Sequence, residues 1–290
     1  MNKSFTLIEI LVVIVVIGIL SAFVLVGMNS ITNNASIAKS QTFLNSLDNS
    51  LLLSRVSYWK LDEGSGTAVN DLWGENDCVL GTSPASPAWT NNNCVSGSCL
   101  YFDGGDNVNC GTGATLDTVD TFTISGWIRL NVLNRSHYIY SKGYSYANLH
   151  GIDLRIYSDN QFIAHAGNGT IITTISTTNT YAQINTWYNV VSVYSPGGYK
   201  IYVNGIKKEG ESVNPAKPIV FEADKTSYLG VNTSGYLDEI KVYKEALSAS
   251  DINCNYFIGL NKLFQNQGIT LIEFNQRLGE IKSNLSQTGF

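Results

Sequence analysis

Charge is scarce in this sequence. Aspartate, glutamate, lysine and arginine make up 14% of the 290 residues, and the 18 basic residues are scattered under a net charge of −5. The basic stripe with which a dedicated nucleic-acid binder neutralises phosphates is therefore missing, and no nucleic acid is expected as a partner. Histidine is scarcer: His137, His150 and His165 are the whole complement, and none stands in a serine or cysteine triad context. Glycan cleavage commonly uses two carboxylates about 5 to 9.5 Å apart, and two such groups on one strand must stand at alternate positions to project from the same face. Neither of the two adjacent acidic pairs fits that pattern. Asp62-Glu63 and Asp238-Glu239 are adjacent pairs, and neighbours on a strand point to opposite faces. The expectation is a protein that is not an enzyme.

Long apolar runs are also rare, with one exception. From Leu7 to Val26 the only charge is Glu9 and the only other polar residue is Ser21. A helix of about 20 residues covers roughly 30 Å, the thickness of a bilayer's hydrocarbon core, so this stretch can span a membrane. It is too long for the apolar core of a secretory signal peptide. A plain anchor has no use for Glu9, because a carboxylate at membrane depth costs about 2.5 to 3.5 kcal/mol. Glu9 thus calls for a partner. Between Met28 and Arg55 no proline interrupts the chain, and Leu44, Leu47 and Leu51 share one helical face. The span is expected to continue as one long helix, with a flexible stalk as the rival reading because "NSITNNAS" is poor helix interior.

The stretch Lys3-Ser4-Phe5-Thr6-Leu7-Ile8-Glu9, followed by ILVVIVVIGIL, resembles the leader and helix of type IV pilins and type II secretion pseudopilins. The resemblance implies that a prepilin peptidase cuts between Ser4 and Phe5 and that the new terminus is N-methylated. Ser4 departs from the glycine usual before the cut. A carboxylate four residues from the new α-amine can meet the amine of a neighbouring subunit, which would set the register of assembly. Lys3 marks the cytoplasmic side, so the rest of the chain is expected to face outward from the inner membrane.

After position 58 the sequence is rich in asparagine, serine, threonine, glycine and tyrosine, and its apolar period becomes two. "TFTISGWIRL" alternates Phe122, Ile124, Gly126, Ile128 and Leu130 against Thr123, Ser125, Trp127 and Arg129. Asn204-Gly205 is a strong type I′ hairpin signal. Of the five cysteines, Cys94 and Cys99 flank a Ser-Gly turn and can bridge locally; Cys78 and Cys110 pair by elimination, and Cys254 is left over. A zinc site is the weaker reading, because the ligand spacings do not repeat. The fragments "SYWKLDEGSGT", "GSCLYFDGGDNV", "FTISGWI", "TWYNVVSVY", "YKIYVNG" and "GYLDEIKVYKEALSASDI" follow one another in an order that resembles laminin-G-like, concanavalin A-like jelly rolls over residues 58–251.

Beyond Asp251 the period returns to 3.6. Leu247 to Leu263 and Thr270 to Ser286 read as two helices broken at Gln267-Gly268. The second opens on Thr270-Leu271-Ile272-Glu273, the same four letters as Thr6 to Glu9, and in both places a Thr three residues ahead of a Glu predicts a reciprocal capping box.

Two kinds of ligand site are candidates. Asp71, Asp103, Asp106 and Asp238 lie in or beside glycine-containing loops, where carbonyls can complete a calcium shell; the same residues also make ordinary turns. Trp73, Tyr144 and Tyr146, in loop-like surroundings, are the aromatics expected to stack on sugars.

The fold class expected is mainly β: a long N-terminal transmembrane helix, an antiparallel jelly-roll sandwich and a short C-terminal helical hairpin. The corresponding segments are 1–4 as leader, 5–57 as pilin helix with its membrane half at 7–26, 58–250 as jelly roll and 251–290 as hairpin. The function expected is a minor pilin or pilin-like filament subunit displaying a binding module for glycans or surface proteins. The alternatives are a secretion pseudopilin that recognises cargo and a membrane-tethered glycan hydrolase. Expected partners are other pilin subunits, the inner membrane before assembly, the prepilin peptidase and the glycan or surface-protein ligand.

Overall fold

Alternating apolar and polar residues bury one face of a strand, and two such faces bury each other. The computed structural model describes residues 52–117, 120–145, 149–196, 198–208, 210–213, 218–221 and 225–287. The chain divides into two compact units, Met1–Ser50 and Leu51–Phe290. The membrane span expected over 7–26, with Ser4, Phe5 and Glu9, lies outside the described residues. Among the described residues no helix is long and apolar enough to cross a membrane.

The described residues form two antiparallel sheets. An eight-stranded sheet runs in the order Ile206–Lys207, Gly198–Val203, Trp187–Ser195, Phe122–Leu130, Ser234–Tyr243, Cys99–Asp103 and Ala88–Thr90, with Arg55–Trp59 also paired to Ser234–Tyr243. A nine-stranded sheet runs Gly210–Val213, Ile172–Tyr181, Gln161–Asn168, His150–Ile156, His137–Ser145, Ser227–Leu229, Val108–Asn109, Cys78–Leu80 and Ala68–Val69. Strands distant in the chain lie side by side, as Ser234–Tyr243 does with Phe122–Leu130, which gives the sandwich its jelly-roll character. The first strand begins at Arg55, inside the segment expected as pilin helix, because Arg55, Ser57 and Trp59 are buried against Ser234–Tyr243.

The core lies between the sheets. Phe122, Ile124, Ile128 and Leu130 from one sheet meet Leu154, Ile156, Phe162 and Ala164 from the other, all fully buried. Each large apolar side chain so buried contributes roughly 1.5 to 3 kcal/mol. Gly126 is needed for close approach, because a Cβ there would stand 2.6 Å from Ile139 Cγ2. The Asn204-Gly205 turn takes φ of 52° and 76°, as a type I′ turn requires.

The period-two reading of Phe122–Leu130 expected one polar face, yet Trp127 is only 2% exposed. Two helices explain it: α1, Ala249–Gln265, and α2, Leu271–Gln287, cover the outer face of the eight-stranded sheet. Tyr256 of α1 stacks on Trp127 with ring centroids 5.6 Å apart, and Leu260, Leu263 and Ile281 complete this second core with Trp187. Ser248 and Asp251 form a full capping box at the start of α1. At α2 the box is half made. Thr270 Oγ1 accepts from the Glu273 amide at 3.2 Å, but the Glu273 carboxylate turns forward to Arg277, at 2.6 Å from Nη2 and 3.1 Å from Nε. Arg277 in turn donates to the Trp187 carbonyl at 2.9 Å, so the ion pair fastens α2 to the sheet.

Candidate binding surface

With the helices on one sheet, the outer face of the other carries the candidate site. Along His150–Ile156 the alternation sends Ile152, Leu154 and Ile156 into the core and Asp153 and Arg155 to the outside, with Tyr157 next in the same phase. On the neighbouring strand His165 pairs in register with Asp153, and on the other side Tyr138 pairs with Arg155. Three strands therefore bring four functional side chains together.

Their geometry is tight. His165 Nδ1 lies 2.9 Å from Asp153 Oδ1, Arg155 Nε lies 3.7 Å from Asp153 Oδ2, and Arg155 Nη2 lies 3.5 Å from His165 Nδ1. Arg155 Nη1 donates to the Tyr138 hydroxyl. The guanidinium also sits 4.8 Å from the ring centre of Tyr138 and 5.1 Å from that of Tyr157, both within cation–π range. Although they are on an outer face, Asp153, Arg155 and His165 are all buried. Burial, reinforced by the charge of Asp153 and opposed by Arg155, raises the Tyr138 hydroxyl above the ordinary tyrosine value. It stays protonated at neutral pH and, already accepting from Arg155, keeps its own proton to donate.

Tyr138 also forms one wall of a cleft of about 910 Å³. Tyr228, Ser141, Asn109, Asn232 and Thr82 share the lining, and among the described residues Asp77 is its only ionisable carboxyl group. Val79, 55% exposed, supplies an apolar patch. Phenols, amides, aliphatic hydroxyls and an apolar patch in a concavity of this size suit a polyhydroxylated ligand that also has an apolar face.

The residues expected to bind sugars lie elsewhere. Trp73 is 44% exposed but sits beside Arg55, whose guanidinium is 5.9 Å from its ring, and it does not line the cleft. Tyr144 belongs to the strand His137–Ser145 and not to a loop. Tyr146 lies outside the described residues.

The four aspartates do not converge. Asp71 accepts from the amides of Tyr58 at 2.8 Å, Gly74 at 3.0 Å, Trp73 at 3.1 Å and Asn76 at 3.2 Å. Burial pushes its carboxyl up, but these amide donors hold it below the usual range. Asp103 Oδ1 accepts from Gly105 N and Asp106 Oδ2 from Asp103 N, the bonds of a turn. Asp238 Oδ2 accepts from Val95 N and Ser96 N at 2.8 and 3.1 Å. Among the described residues no three histidine, cysteine or acidic side chains gather closely enough to hold a metal ion. These aspartates do not fit one shared calcium site.

Asp238 and Glu239 break the rule that neighbours face apart. A register shift between Asp238 and Lys241, with Glu239 at φ 52°, lets both carboxyl groups be buried within electrostatic reach of each other. Burial and the charge of Glu239 raise Asp238 well above the carboxylate range. Burial would raise Glu239 as well, but Lys241 and Lys262, with hydrogen bonds from Lys262 at 2.8 Å and Tyr58 at 2.6 Å, keep it low. Glu239 thus clamps α1 onto the sheet.

The disulfides are Cys78–Cys110, across neighbouring strands of the nine-stranded sheet, and Cys94–Cys99, which closes the loop carrying Val95 and Ser96. Cys254 lies on α1, outside both bridges.

A family model described as the concanavalin A-like lectin/glucanases superfamily matches residues 102–253. A second, the prokaryotic N-terminal methylation motif, matches residues 1–25. Nothing matches among curated proteins. Among solved structures, the binding domain of Paraclostridial Mosquitocidal Protein 1 is similar at 17% identity and TM-score 0.58, over 73% of this chain and 53% of that one. The Botulinum neurotoxin serotype G binding domain is similar at 15% identity and TM-score 0.54, over 71% and 51%. This chain spans about half the length of each, and at such identity what is shared is the fold.

Proposed function

The chain belongs to the concanavalin A-like lectin/glucanases superfamily, and from that premise we propose that it is a pilin-like filament subunit whose jelly roll binds glycans without cleaving them. A prepilin peptidase removes residues 1–4, Phe5 becomes the methylated terminus, and the apolar segment holds the protein in the inner membrane until it enters a filament. Glu9 meets the terminal amine of a neighbouring subunit during that transfer. The jelly roll is then displayed outside the cell.

The observation that carries the binding half is the cleft between Tyr138 and Tyr228, with amide and hydroxyl groups around an apolar patch. The Asp153–His165 pair beside it resembles part of a catalytic set, but both side chains are buried and this reading gives them no catalytic step. Its role in this reading is to hold the binding surface.

The test is a glycan array probed with the full chain in detergent micelles, beside Tyr138→Ala and Tyr228→Ala. The expected result is retention of a defined set of glycans by the native chain and a loss of at least tenfold in each variant. Silence across the array would sink the binding reading. Release of reducing ends from any retained glycan would overturn the claim that it is not cleaved.

A further inference from the structure

The cleft does not exhaust the aromatic surface of this face. Tyr138, which walls it, is one of two rings among the described residues held against the Arg155 guanidinium; the other, Tyr157, lies outside the cleft and is 40% exposed. Tyr157 follows Asp153 and Arg155 in strand phase and contacts the same guanidinium as Tyr138, so the two rings belong to one face. A tyrosine left this exposed gains little from burial. Yet its position is fixed: Arg155 is 7% exposed and is itself oriented by Asp153, His165 and Tyr138.

We infer that the site takes an extended neutral oligosaccharide, with Tyr157 as a second stacking platform and Arg155 as the positioning residue that keeps both rings in place. This rests on the glycan-binding reading and deepens it. The strands carrying Tyr228, Tyr138 and Arg155 are consecutive in the sheet. With strands about 4.8 Å apart, an occupant lying over all three covers about 10 Å, more than one pyranose ring. Neutrality follows from charge. Asp153 offsets Arg155 within the cluster, and among the described residues the cleft itself contributes only the acidic Asp77, which would repel uronic or sialic acids. Stacking a sugar on a pre-set ring avoids the cost of ordering that ring on binding.

The experiment measures affinity of the full chain in detergent micelles by calorimetry. The probes are neutral gluco-, xylo- and chito-series sugars as mono-, di- and tetrasaccharides, with tetragalacturonate as the acidic counterpart. Affinity is expected to rise about tenfold or more from mono- to tetrasaccharide in the series that binds, and tetragalacturonate is expected to bind more weakly. Tyr157→Ala should reduce the tetra-to-mono ratio by roughly five- to tenfold, and Tyr157→Phe should restore it. Arg155→Lys, which keeps a cation but loses the planar fork, should lower the ratio while the melting temperature shows the chain still folded.

Equal affinity for mono- and tetrasaccharide, or a ratio indifferent to Tyr157→Ala, overturns the extended site and leaves the glycan-binding reading standing. Tighter binding of tetragalacturonate overturns neutrality. No binding of any probe overturns both readings.

Discussion

His137 shows how one side chain carries a pH dependence. Its Nδ1 accepts from the Ser234 amide at 3.2 Å, and burial, with Arg135 nearby, pushes its pKa down to about 4. The folded protein therefore prefers the neutral ring, whereas an unfolded chain takes up a proton near the ordinary value of about 6.5. Stability from this group is present above about pH 6.5 and is lost as pH falls toward 4, by something on the order of 2 to 3 kcal/mol. His137→Gln, which can still accept from Ser234, should flatten that part of the profile; thermal melting between about pH 7.5 and 4.5 measures it. A second expectation concerns the aspartates. Because amide donors already occupy Asp71 and the Asp238 Oδ2 atom, chelator should leave the melting temperature unchanged, and a rise with added calcium would contradict this. At this scale the sequence was only partly legible. Asp153-x-Arg155-x-Tyr157 stood in plain alternation and could have marked the surface, but the pairing of Asp153 with His165 is a cross-strand register that no local pattern reveals.

At the scale of elements, period and turn chemistry carried most of the information. The Asn204-Gly205 hairpin, the return to helical period after Asp251 and the break at Gln267-Gly268 could be read from local rules because they are local in cause. Where a distant element intervened, those rules failed. Phe122–Leu130 is buried on both faces because α1 and α2 lie over Trp127, and the Asp238-Glu239 pair escapes strict alternation through a bulge. The hairpin also offers a test in which two effects oppose each other. Gly259 lies within α1, where alanine is favoured by about 1 kcal/mol on helix propensity. A Cβ there would meet Trp127 Cε2 and Nε1 at 2.8 Å and Cζ2 at 2.6 Å, and the indole is pinned between sheet and Tyr256. Overpacking of this kind costs about 1 to 3 kcal/mol, so Gly259→Ala should destabilise the protein by about 1 kcal/mol despite its better propensity. Urea denaturation decides the sign, and a stabilised variant would show that the helices yield more easily than this packing implies.

At the scale of the whole molecule, the two family matches fall on separate stretches of chain: residues 1–25 carry the methylation motif and residues 102–253 the jelly roll, and the proposed function gives each its own task. If the proposed function is right, the tasks should come apart under mutation. Glu9→Gln removes a charge that costs about 2.5 to 3.5 kcal/mol at membrane depth, so insertion into the bilayer should be as good as in the native chain or better. Assembly should nevertheless fail, because the neighbouring Phe5 amine then has no carboxylate to meet. Shearing cells and blotting the released filaments should show a loss of tenfold or more for Glu9→Gln, with the protein accumulating in the membrane fraction. Tyr138→Ala should do the reverse, entering sheared filaments at the native level while losing glycan binding. An opposite pattern, with Glu9→Gln filaments abundant, would mean that the carboxylate serves some other purpose, and the assembly half of the proposal would fall even if the glycan site stood.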